Sequence, residues 1–142
     1  MMGLFDDLKR RLMATSRKEQ ARVNAAPQPM DKRLIMYSRS TGCPFVSIAR
    51  RVLEQHRIPY QEIHIDQDET ARERVVAWTG FLSVPTLVVA EAGTALPYVE
   101  PTFLKPGRSP RGIDRGPMIT EPGADQLTNW LQKHGFIQGE TV

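Results

Sequence analysis

The run Arg33-Leu34-Ile35-Met36-Tyr37-Ser38, followed shortly by Cys43-Pro44 and an amphipathic stretch, limits most what this 142-residue chain can fold into. A short, nearly continuous apolar run reads as a strand buried on both faces. Proline cannot continue such a strand, but it fits the first helical position, where its missing N–H is not needed. Cys43 is therefore the expected N-cap of a helix that turns Ile48, Ala49, Val52, Leu53 and His56 to one side. A strand passing directly to a helix is the opening of an α/β unit.

The same placement bears on chemistry. Cys43 is the only cysteine in the chain. A lone cysteine is commonly a small buried hydrophobe, and a core cysteine needs no proline behind it. At a helix start the thiol instead meets unpaired backbone N–H groups and the positive end of the helix dipole, both of which favour the thiolate. With no second cysteine, an internal disulfide is excluded, and a reducing, cytoplasmic setting is expected.

Alternation of strands and helices continues downstream. Arg57-Ile58-Pro59-Tyr60 reads as a turn and Gln61-Glu62-Ile63-His64-Ile65 as a strand. Asp66, with Glu69 three residues on, reads as the N-cap of a helix through Val75, Val76 and Trp78 that stops at Gly80. Val84-Pro85-Thr86-Leu87-Val88-Val89-Ala90 reads as a strand, and Asp125 to Gly135 as a closing helix with Leu127, Trp130 and Leu131 inward. The order is βαβαβ followed by a last helix, an α/β fold. Between about residues 91 and 121 lies an insert rich in proline, glycine and arginine (Arg108, Arg111, Arg115), with Val99 or Met118-Ile119 as candidates for a further strand. Its arginines are either solvated loop charges or anion ligands.

Charge separates the ends of the chain. Residues 1–30 carry six basic and three acidic side chains, whereas residues 31–142 carry thirteen of each. A neutral body excludes a nucleic-acid-binding domain as the first reading. Residues 3–18 read as an amphipathic basic helix with Leu4, Phe5, Leu8, Leu12 and Met13 on one side, ahead of a proline-containing linker. Weak membrane-surface binding or protein docking through that helix is one expectation, and packing on the parent domain the other. The expected organisation is residues 1–30 as helix and linker, 31–138 as the domain, and 139–142 as a tail. His56, His64 and His134 lack ligand-like spacing, and no phosphate-loop or dinucleotide signature is present.

The strand–Cys43-Pro44–helix unit, the Val84-Pro85 strand start and the Gly123-Ala124-Asp125 helix start, in that order, resemble the glutaredoxin family of thioredoxin-fold proteins over about residues 32–137. The resemblance implies a four-stranded mixed sheet flanked by helices, with Cys43 as the catalytic nucleophile. It implies that Pro85 is cis and faces the thiol, and that the Val84 backbone pairs with an extended thiol peptide. It places Arg39, Thr41, Pro44 and Phe45 beside the thiol, and makes Gly123, Ala124 and Asp125 the receiving end for the γ-glutamyl group of glutathione. Several positions depart from the family pattern. Val46 replaces the second cysteine of Cys-Pro-x-Cys, Leu82 replaces a polar or basic residue, Pro122 replaces a glycine, and Gly42 adds a residue between Arg39 and Cys43.

The implied function is a monothiol glutaredoxin-like thiol–disulfide oxidoreductase. Its co-substrate would be glutathione or an equivalent thiol, its substrates glutathionylated proteins, and no cofactor would be tightly bound. Two alternatives stand beside it. One is a dimeric iron–sulfur cluster carrier using Cys43 and glutathione, although such relatives carry a Cys-Gly-Phe-Ser pattern. The other is a thioredoxin-fold binding module without catalysis.

Overall fold

The computed structural model describes residues 32–137. The expected basic helix over 3–18, the linker and the tail over 139–142 lie outside the described residues. The element order is β1 (Lys32–Ser38), α1 (Pro44–Gln55), β2 (Gln61–His64), α2 (Glu69–Thr79), β3 (Thr86–Glu91), β4 (Met118–Thr120) and α3 (Ala124–Lys133). The four strands form one mixed sheet in the order β2-β1-β3-β4, which is a thioredoxin-like fold.

β1 is central because its sequence tolerates burial on both sides: Leu34 to Tyr37 are almost wholly shielded from solvent. It runs parallel to β2, with Ile35 opposite Gln61 and Ser38 opposite His64. α1 supplies the crossover that a parallel pair needs. β1 runs antiparallel to β3, from Lys32 opposite Glu91 to Tyr37 opposite Thr86. The two-residue strand period sorts the layers. Tyr37 points to α2, where its ring meets Trp78 edge-on at 5.2 Å. Ser38 points the other way and donates to Glu62 Oε2 at 2.5 Å, and that carboxylate also receives Arg50 of α1. α1 packs beside α3, which buries Leu127, Trp130 and Leu131 as expected.

Some expectations need correction. The second helix is capped by Asp68, whose side chain accepts from the Ala71 amide, and not by Asp66. A turn closed by Gln67 N–H on His64 O delays the helix by two residues and frees Asp66 for another partner. His56 is exposed because α1 ends at Gln55, and Val46 takes the buried place at the other end of that face. Val99 is half-exposed outside any strand, whereas Met118 to Thr120 form β4. Part of the expected insert therefore belongs to the sheet.

The remaining segment, 92–117, is held by hydrogen bonds along its length. Tyr98 N–H reaches Val89 O at 3.0 Å, and Tyr37 Oη donates to Ala95 O at 2.6 Å. Arg111 and Asp114 make single bridges to Thr120 and Ile119, which covers the outer edge of β4. Arg115 is buried, donating from Nε to Thr102 O at 2.8 Å and from Nη1 to Trp78 O at 2.7 Å. It is a strut between the insert and the end of α2, rather than a solvated charge or an anion ligand.

Candidate active site around Cys43

Cys43 caps α1 in an extended conformation, with φ −154° and ψ 125°, and Pro44 begins the helix. Its carbonyl accepts the first helical hydrogen bond, from Ser47 N–H at 3.0 Å. The preceding loop is fixed from β2's end, where Asp66 accepts from both the amide and the hydroxyl of Ser40. These bonds hold the Asp66 carboxyl below the ordinary carboxylate range. Asp66 thus supports the loop that delivers the thiol, a role hidden from local sequence because its partner lies in another element.

The sulfur is half-buried, and its S–H donates to Val84 O at 3.7 Å. The Val84–Pro85 peptide is cis. Two segments distant in sequence are therefore brought together, the helix cap at Cys43 and the bend ahead of β3. Val84 and Pro85 are buried, and they pass directly into β3 at Thr86. On their other side Pro85 O receives Glu121 N–H at 2.8 Å. That bond links the bend to the residues ahead of α3.

Gly123 caps α3, with Ala124 and Asp125 as its first two residues, both exposed. Asp125 lies in the first turn and is not the cap. Gly123 N–H donates to Gln126 Oε1 at 2.7 Å, so the cap is closed by the third helical residue. The first amides of a helix have no partner within it and suit an anion. Arg39 and Thr41 lie exposed on the loop before Cys43 and make no hydrogen bond among the described residues. Phe45 is half-buried, and its ring faces Arg111, whose guanidinium carbon lies 5.0 Å from the ring centroid. Arg111 is the residue at this site that the sequence left unassigned, since nothing local distinguishes it from Arg108.

Val46 is fully buried in the core. The position three residues after Cys43 thus supplies packing, not a second sulfur. Leu82 and Phe81 are exposed, on a turn tied by Thr79 Oγ1 to Val75 O and Phe81 O at 2.8 Å each. The rim beside Val84 is accordingly apolar.

The centre of the site is a thiol at a helix cap, facing the carbonyl before a cis-proline that opens a strand. Residues 34–92 match the glutaredoxin family. The match contains both Cys43 and the Val84-Pro85 bend. The chain is also similar to a buckwheat glutaredoxin solved as a glutathione complex, at 19% identity, 88% of this chain and 93% of that one, with a TM-score of 0.41. No curated protein matches the chain.

Proposed function

We propose that this protein is a monothiol thiol–disulfide oxidoreductase that reduces mixed disulfides between proteins and a low-molecular-weight thiol such as glutathione. The observation that carries the reading is Cys43 Sγ at the helix cap, 3.7 Å from Val84 O. The Cys43 thiolate attacks the low-molecular-weight thiol's sulfur in the mixed disulfide. The old S–S bond breaks, a new one forms to Cys43, and the departing protein thiolate takes a proton from water. A second thiol, deprotonated on attack, then displaces the first from Cys43. The products are a low-molecular-weight disulfide and the Cys43 thiolate. The incoming small thiol is the one oxidised and the protein sulfur the one reduced, so the cycle needs no second cysteine in the chain.

The backbone has a part in this cycle. Once the sulfur is ionised or in a disulfide it has no proton to donate, and Val84 O becomes available to an amide of the bound peptide thiol. The peptide then adds beside the bend in an extended form. The α3 amides at Ala124 and Asp125 offer a place for a carboxylate.

Turnover of a glutathionylated protein or peptide with glutathione as reductant tests the reading. Wild type is expected to exceed Cys43→Ser by at least about 100-fold, since removal of the nucleophile leaves only the uncatalysed exchange. Equal rates for the two proteins would refute it.

A further inference from the structure

Arg111 stands out among the insert's arginines because the fold holds it in place and yet leaves it exposed, whereas Arg115 is buried. The Arg111 guanidinium lies over the Phe45 ring, two residues from Cys43, and its Nε donates to Glu121 Oε1 at 3.2 Å. The Arg111 side chain is still 60% exposed. Among the described residues, its two terminal nitrogens have no acceptor. Arginine stacked on an aromatic face with one edge engaged presents the other edge as a preset fork for a carboxylate.

The backbone around Arg111 supports the same position. Arg111 is bridged to Thr120, and Gly112 N–H donates to Thr120 O at 2.7 Å. Gly112 has φ +72°, and a Cβ there would lie 2.8 Å from the Gln126 side chain that closes the α3 cap. Glu121 has φ +46°, a strained conformation that non-glycine residues seldom adopt. It is kept there by the hydrogen bond its backbone N–H donates to Pro85 O, and its carboxylate, largely buried, meets Arg111. Strain, stack and ion pair all serve to set one cation between the Cys43 helix and the start of α3.

We propose that Arg111 is a specificity-determining residue that selects thiol substrates carrying a carboxylate near the sulfur. The inference rests on the thiol–disulfide reading above and deepens it, since it assigns the charge of the preferred small thiol. Glu121 already pairs with Arg111, so the selection is moderate. In the exchange, the Cys43 thiolate attacks a symmetrical disulfide, forms the mixed disulfide and releases one small thiolate, which is then protonated by water. Arg111 takes no part in bond making and acts on the carboxylate of the half being transferred.

The test is single-turnover formation of the Cys43 mixed disulfide, followed by intact mass. Three probes are used: glutathione disulfide (anionic), bis(2-hydroxyethyl) disulfide (neutral) and cystamine (cationic). The full chain is compared with Arg111→Gln, Arg111→Lys and Arg108→Gln, each checked by thermal melting. The preference for the anionic over the neutral probe is expected to fall about tenfold in Arg111→Gln, the equivalent of about 1.4 kcal/mol. It should fall less in Arg111→Lys, which keeps the charge but loses the fork and the stack. Arg108→Gln should keep the wild-type preference, and the cationic probe should gain when Arg111 is neutralised. An unchanged preference in Arg111→Gln, or equal slowing with all three probes, would overturn the assignment of Arg111 while leaving Cys43 reactive. No mixed disulfide with any probe in wild type would overturn the oxidoreductase reading, and this inference with it.

Discussion

Replacing Arg115 with methionine is the sharpest test of how the insert is attached. Arg115 is only 6% exposed and has no carboxylate partner among the described residues, and burial lowers its pKa from the ordinary arginine value. Its strongest contacts are the bonds to Thr102 O and Trp78 O, at 2.8 and 2.7 Å, with a weaker one to Met118 Sδ at 3.6 Å. Hydrogen bonds from a charged donor contribute about 1.5–3 kcal/mol each, so the pair contributes roughly 3–6 kcal/mol. Methionine retains much of the side-chain volume and removes the cost of burying the charge. It leaves two carbonyls without their donor, at about 1–3 kcal/mol each. The net expectation is a loss of about 2–3 kcal/mol for Arg115→Met. Arg115→Ala should lose about 3–5 kcal/mol, because the packing of the aliphatic stem goes as well. Urea unfolding of the full chain, followed by tryptophan fluorescence, measures both, with Trp78 reporting directly on the affected end of α2. The Arg115→Met loss should be the same at about pH 6 and about pH 8, since the guanidinium stays charged throughout. Wild-type stability in Arg115→Met would refute the argument, showing that solvent replaces the arginine at those carbonyls.

Gly112→Ala should cost about 1–2 kcal/mol in the same unfolding assay, from the left-handed backbone and the displaced Gln126 cap. Two titrating groups predict a loss of stability on the acid side, readable from the urea midpoint against pH. Burial of Glu62 raises its pKa, but hydrogen bonds from Arg50 and Ser38 outweigh that, and the net value lies below the ordinary 4.5. A carboxyl depressed in the folded state contributes stability present above the ordinary 4.5 and lost as pH falls through its lower folded value. Glu62→Gln should therefore flatten the curve below about pH 4.5. Burial also lowers His134 from its ordinary 6.5, opposed by its bond to Gly116 O at 2.7 Å. Protonation then favours the unfolded chain, so stability declines as pH falls below 6.5, and His134→Gln should remove that limb. Cys43→Ser and Arg111→Gln complete the set, through turnover and probe preference respectively.

Features that depend on neighbours within a few residues are legible in the sequence of this protein. A buried strand, a proline at the first position of a helix, and a glycine at a helix end are of this kind. Cys43 as the cap of α1, Gly80 as the stop of α2 and the inward face of α3 accordingly agree with expectation. The choice between Asp66 and Asp68 is not legible, because both are good caps. The decision falls to Ser40, twenty-six residues from Asp66, which takes the Asp66 carboxylate.

The insert shows the same division more plainly. Arg108, Arg111 and Arg115 are chemically equivalent in a proline-rich stretch that carries no periodicity. Only the tertiary structure buries one against Trp78 O and stacks another on Phe45. By itself the sequence determined a single thiol at the head of a helix and a proline at the head of a strand, since both are set by short-range stereochemistry. The approach of Sγ to Val84 O, and of Arg111 to the Phe45 ring, was decided by sheet order and by insert docking. Those contacts join residues forty or more positions apart, and no local pattern encodes them.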